Sequence, residues 1–196
     1  MEILYSDKNI AVCIKPVGLD SEHELPEKLQ NVLPGDIFPV HRLDKNVGGV
    51  MVFARTKAAA TALNKAIADG KMEKEYVALV HGTPPEKGDW TDLLWKDSSK
   101  NKVYVVNRQR KGVKSARLTF QRLTNTDPSL VKVRLYTGRS HQIRVQFAAK
   151  GYPLLGDHKY GARDELLSPM LFSCHIAFPY GGKQHCYEAL PDWAQV

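Results

Sequence analysis

The feature that most constrains this chain is a short apolar run entered through two glycines, Gly48-Gly49-Val50-Met51-Val52-Phe53-Ala54. A short continuous apolar run bounded by turn-forming residues reads as a strand buried on both faces. Gly48-Gly49 gives the backbone ahead of it conformations closed to other residues. Just upstream, His41-Arg42-Leu43-Asp44-Lys45 sets four ionisable side chains around one leucine, with Asp44 the only carboxylate. Asp44 therefore belongs to a loop feeding a core strand, where the strand fixes the loop well enough to mount a reactive group. From the residues alone two readings stay open. Asp44 is either a loop carboxylate in ion pairs with Arg42 and Lys45, or a catalytic group.

The rest of the chain alternates strand and helix signals. Ile3 to Tyr5 and Ile10 to Ile14 predict a hairpin around Ser6-Asp7-Lys8-Asn9, ended by Lys15-Pro16-Val17-Gly18. A short helix is expected from about Glu27 to Leu33, stopped by Pro34-Gly35. Thr56 reads as the N-cap of a helix whose Ala59, Ala62, Leu63, Ala66 and Ile67 share a face, with Gly70 closing it. Lys74 to His81 alternates as a strand, with Tyr76, Ala78 and Val80 on one side. Thr83 to Trp95 reads as a Pro/Gly-bearing connection, and Val103 to Val106 and Ser115 to Arg122 as strands about a turn at Lys111-Gly112. Val131 to Thr137 alternates strongly, and Ser140 is expected to cap a helix through Lys150. A last hairpin, Leu171 to Phe178 and Lys183 to Ala189, turns at Gly181-Gly182. This order argues an α+β class and not a βαβ parallel sheet. With no repeat, low-complexity tract or linker, residues 1–196 are expected to form one domain, with room for two lobes.

Charge narrows the partner. Lys plus Arg outnumber Asp plus Glu by 28 to 21, and the excess gathers between Lys96 and Arg117, where eight cations meet Asp97 alone. That favours a polyanion, with Arg108, Arg110 and Lys111 as RNA-backbone contacts; the plainer reading is a hairpin kept in water by its lysines. The N-terminus lacks the basic start and apolar core of a signal peptide, and no apolar run approaches the ~18 residues of a membrane span. A reducing cytoplasm with free Cys13, Cys174 and Cys186 is expected. Cys174-His175 and His185-Cys186 invite a zinc reading. Neighbours on a strand point to opposite faces, however, so neither pair converges on one ion, and no metal site is expected.

Four motifs, in order, resemble those of the RluA-type pseudouridine synthases. The first is His41-Arg42-Leu43-Asp44 with Gly49 and the apolar run, where Val47 and Gly48 replace the usual Thr-Ser. The second is Lys74-Glu75-Tyr76-Val77-Ala78-Leu79-Val80-His81-Gly82. The third is Gly138-Arg139-Ser140-His141-Gln142-Ile143-Arg144-Val145, with Ser140 for Thr and, just after it, Gln146 for His. The fourth is Gly151-Tyr152-Pro153-Leu154-Leu155-Gly156-Asp157-His158-Lys159-Tyr160-Gly161. Lys15-Pro16-Val17-Gly18 also resembles the family's opening turn.

The resemblance implies the pseudouridine synthase fold: a mixed, mainly antiparallel bent sheet with flanking helices around a central basic cleft. It implies isomerisation of uridine to pseudouridine in ribosomal or transfer RNA, needing no cofactor or metal. Asp44, Tyr76 and Arg144 become the catalytic set, meeting in the cleft, with Arg144 pairing Asp44 and so keeping it ionised. Tyr76 offers a stacking face and a hydroxyl. Arg42 helps hold the space vacated by a flipped uridine. His41, Arg139, His141 and Gln142 join it in the RNA- and substrate-binding set, while Asp157 is expected to be structural. The resemblance further implies a stand-alone catalytic domain without an S4-like module, a monomer with RNA as its partner. The reading from another class is a catalytically idle RNA-binding or ribosome-assembly module on the same fold.

Overall fold

A computed structural model describes residues 1–195. In chain order its elements are β1 (Glu2–Ser6), β2 (Ile10–Lys15), α1 (Glu24–Gln30), β3 (Phe38–Pro39), β4 (Gly48–Ala54), α2 (Lys57–Ala68), β5 (Glu73–Val80), β6 (Lys87–Asp97), β7 (Lys102–Val106), β8 (Val113–Arg122), β9 (Ser129–Leu135), α3 (Gln142–Ala149), β10 (Leu171–Tyr180) and β11 (Lys183–Glu188). They form two compact units. The first joins Met1–Lys74 to the segment from Phe172 onward; the second is Glu75–Leu171.

In the first unit the strand order is β1-β2-β4-β10, with β3 on β4 and β11 on β10. β2 and β4 pair antiparallel, Cys13 opposite Met51. β10 joins β4 in parallel, Ser173 opposite Gly49. All seven residues of β4 are buried, as the apolar run demands. Gly49 is required there: its φ is +128°, and a Cβ would lie 2.4 Å from the backbone of Ser173. Ile10, Val12, Val50, Val52, Ala59, Leu63, Ile176 and Phe178 form the core on which α2 packs. Thr56 Oγ1 accepts the Ala59 N–H at 3.1 Å, so the expected cap is present, although Ala62 turns outward. α1 begins earlier than expected. Pro26 is compatible with a first helical turn, whose N–H groups lack intrahelical partners, and Leu25 and Leu29, one turn apart, bury one face.

In the second unit the order is β5-β9-β8-β6-β7. The stretch expected to be a connection contains β6, which pairs antiparallel with both β7 and β8. Gly88 is part of the reason it fits. It lies against the Phe120 ring, where a Cβ would come within 2.2 Å, so the glycine that reads as a turn makes room for an aromatic. Trp90, Phe120 and Phe147 then pack with ring centroids 4.4, 4.8 and 5.2 Å apart, fixing α3 on β6 and β8. α3 is not capped by Ser140. Its N-cap is His141, in the left-handed region at φ 51° with no side-chain cap bond.

Candidate active site

Asp44 lies half-buried in the loop between β3 and β4. The carbonyls of the two residues beside it are held by buried donors. Ser21 Oγ donates to the Leu43 carbonyl at 2.9 Å. Lys15 Nζ donates to the carbonyls of Lys45 (3.0 Å), Val47 (2.8 Å) and Pro16 (3.0 Å). The Gly18 N–H also takes the Lys45 carbonyl, at 2.8 Å. Lys15 is fully buried. Burial pulls its amine down to about 8, partly offset by the carboxylates of Asp20, Asp44 and Glu24. Sequence reasoning missed Lys15 and Ser21 as loop supports. The available signal was a lysine closing an otherwise apolar strand, Ile10 to Ile14, just before a proline.

The neighbouring cations considered as partners for Asp44 are engaged elsewhere. Arg42 pairs with Glu22 at 2.7 Å and Lys45 with Glu24 at 3.2 Å, all exposed. His41, expected among the RNA contacts, turns inward, and its Nε2 accepts the Val52 N–H at 3.1 Å. Burial, with the nearby Lys74 charge, drops its pKa to about 3, so the ring is neutral and braces β4.

Tyr76 sits in β5, 6% exposed. Arg144 sits in α3, 8% exposed, with Nε and Nη2 gripping the two oxygens of Asp157 at 2.7 and 2.8 Å. Such a fork fixes the guanidinium plane as well as its charge. The Tyr160 ring lies 5.2 Å from the guanidinium carbon. Its hydroxyl accepts the Val103 N–H at 2.9 Å and lies 2.8 Å from His141 Nδ1. The third and fourth motifs thus close on one another around Arg144. Gln142 is 3% exposed, and its amide is used locally: Oε1 accepts from Thr137 Oγ1 and the Arg139 N–H, and Nε2 donates to the Arg117 carbonyl. It shapes the turn, where an RNA contact was expected. Arg139 is exposed and donates to the Ser115 carbonyl.

The loop after Leu155 is organised by Asp164, which accepts the N–H groups of Gly156 and Leu166 and meets His81 Nε2 at 2.8 Å. The Gly156 bond first, with His81 and Leu166 adding, holds its carboxyl near 2 against the opposing effect of burial. Arg108, Arg110 and Lys111 are exposed between β7 and β8. Arg110 lies 4.9 Å over the Trp95 ring, and Trp95 stacks on Tyr104 at 6.1 Å. Flat rings beside cations are, in general, groups on which the bases of single-stranded nucleic acids stack.

Residues 9–149 match the family model described as RNA pseudouridylate synthase. A dual-specificity RNA pseudouridine synthase RluA of Yersinia pestis is 35% identical, over 82% of each chain. An RNA pseudouridine synthase of Aquifex aeolicus is 32% identical over 91% of this chain, which spans only 65% of that relative's length. The human protein RNA pseudouridylate synthase domain containing 1 shares the fold, with a TM-score of 0.86 over 97% of this chain and 83% of its own, at 24% identity. The α+β elements described above therefore build the pseudouridine synthase fold. With the family match covering most of its length and the Yersinia relative sharing a third of its residues, the chain belongs to the RNA pseudouridylate synthase family, in the RluA branch.

Proposed function

We propose that this chain isomerises uridine to pseudouridine within ribosomal or transfer RNA. The observation that carries the reading is the fixing of the Asp44 loop, with the carbonyl on either side of Asp44 taken by a buried donor from elsewhere in the chain. A reacting carboxylate needs such a frame, because a misplacement of about 1 Å costs on the order of a hundredfold in rate. In the reaction the bond from N1 to C1′ breaks, the uracil turns while bound, and C5 bonds to C1′. The C5 proton leaves and N1 ends protonated, so the change is redox-neutral and transfers no group between molecules. Asp44 starts the reaction, Tyr76 supplies a hydroxyl for proton handling, and Arg144 supplies a cation that cannot deprotonate.

The target base is reached by flipping, with Arg42 holding the space it leaves. Arg139, His141, Arg108, Arg110 and Lys111 contact the RNA. The chain works as a monomer in the cytoplasm, where Cys13, Cys174 and Cys186 remain thiols; among the described residues no helix is long and apolar enough to cross a membrane.

Tritium release from RNA labelled at uridine C5 tests this. The wild-type chain releases tritium, and Asp44→Asn, isosteric and uncharged, stops release while leaving circular dichroism and RNA affinity close to wild type. Release by Asp44→Asn at near wild-type rates overturns the assignment of Asp44. A wild-type chain that binds RNA without release means an idle binding module.

A further inference from the structure

The β10–β11 hairpin carries a cluster for which uridine chemistry has no use. Its register sets His175 opposite Glu188 and Ala177 opposite Cys186. Alternate residues on a strand share a face. His175, Ala177, Cys186 and Glu188 therefore project to one side, while Ile176 and Phe178 enter the core on the other. On the first side His175 Nδ1 lies 2.9 Å from Glu188 Oε1 and 3.9 Å from Cys186 Sγ. All three donor atoms fall within 4.8 Å of one another. Ala177 permits this: with only a methyl group opposite it, the Cys186 thiol can lean across the diagonal toward His175. The side chain of His175 is 15% exposed, whereas Cys186 and Glu188 are open to solvent.

We propose that His175 Nδ1, Cys186 Sγ and the Glu188 carboxylate bind a divalent cation of the zinc type. The donor set selects the ion, since nitrogen and thiolate sulfur suit zinc, whereas magnesium and calcium take oxygen ligands. The spacing suits it too. Bonds of about 2.0–2.3 Å in a tetrahedron put donor atoms about 3.3–3.8 Å apart. The separations of 2.9 and 3.9 Å bracket that range and the third lies within 4.8 Å, so shifts of about 1 Å bring the donors to zinc spacing. The ion replaces the His175–Glu188 contact, the thiol proton passes to solvent, and the fourth position is left to water. The ligands stand on two hydrogen-bonded strands, which hold them in place before any ion arrives. Strand alternation separates the members of Cys174-His175 and of His185-Cys186, as the sequence predicts. It also sends one member of each pair to the same outer face, where Glu188 completes the set.

The test uses the full chain, stripped of metal and kept under a phosphine reductant. Cobalt(II) should produce a thiolate-to-metal charge-transfer band that saturates at one equivalent and is displaced by zinc, and zinc should raise Tm. Cys186→Ser, an exposed position where the fold tolerates the change, should remove the band. Cys186→Ser and Glu188→Gln should each weaken zinc binding at least about tenfold, the lower end of what loss of even a supporting group behind a ligand costs. Absence of the band at millimolar cobalt, or a band that survives Cys186→Ser, overturns the proposal. Uridine isomerisation is not read in any of these measurements, so failure here leaves the proposed activity untouched.

Discussion

Asp157 is 1% exposed, and its two oxygens are taken by Arg144. Arg144→Met should therefore lower stability by about 3–5 kcal/mol, because it strands that carboxylate in the interior. Adding Asp157→Asn should restore much of the loss, since the amide removes the stranded charge; chemical denaturation of the single and double variants measures both. A double variant no more stable than the single one would place the cost elsewhere. The motifs singled out Arg144 and Asp157 separately, the first as a catalytic residue and the second as a structural one. Their contact was not legible, because 13 residues of helix and turn separate them and spacing says nothing about which way a guanidinium fork faces. Gln142 and His41 show the converse. Both are polar residues in matching motifs, yet His41 is bonded to the backbone of β4 and Gln142 to its own turn and the Arg117 carbonyl.

At the scale of elements, β4, α2 and the last hairpin were legible because one signal dominated each: an apolar run, a capped amphipathic face, a Gly-Gly turn. β6 was hidden because Pro84, Pro85 and Gly88 outweighed a weak alternation, and the ring that Gly88 accommodates comes from β8. The end of β2 carries a consequence for pH. Lys15 falls from an ordinary 10.5 to about 8 in the folded chain through burial. Between about pH 8 and 10.5 the unfolded chain therefore holds the extra proton, so the Lys15 contribution to stability rises with pH across that window and is flat outside it. The difference in unfolding free energy between wild type and Lys15→Met, measured from pH 7 to 11, should climb through this range. A flat difference would show that the Lys15 amine is not desolvated.

Across the whole molecule, the net charge of +7 was the sequence's guide to a polyanionic partner, and the Arg108-Gln109-Arg110-Lys111 turn presents three exposed cations in four residues. Changing Arg108, Arg110 and Lys111 to alanine should flatten the slope of log affinity against log salt by up to about 2 units, at roughly 0.7 per phosphate contact on single strands. The single-turnover rate at saturating RNA should hold. An unchanged slope would make the turn a solvated surface. The fold was legible from four motifs read in order; room for two lobes was foreseen, but where they divide was not legible, because the first unit draws on both arms of the chain. That division has a consequence for synthesis. A ribosome delivers the Asp44 loop and the whole second unit before it delivers Ser173, the residue against which Gly49 closes. A chain arrested before Phe172 should leave His41 to Ala54 open to protease, and one released beyond β11 should protect it. The proposed activity on RNA would then be absent from the nascent chain, and appear only after most of it has moved clear of the RNA machine that made it.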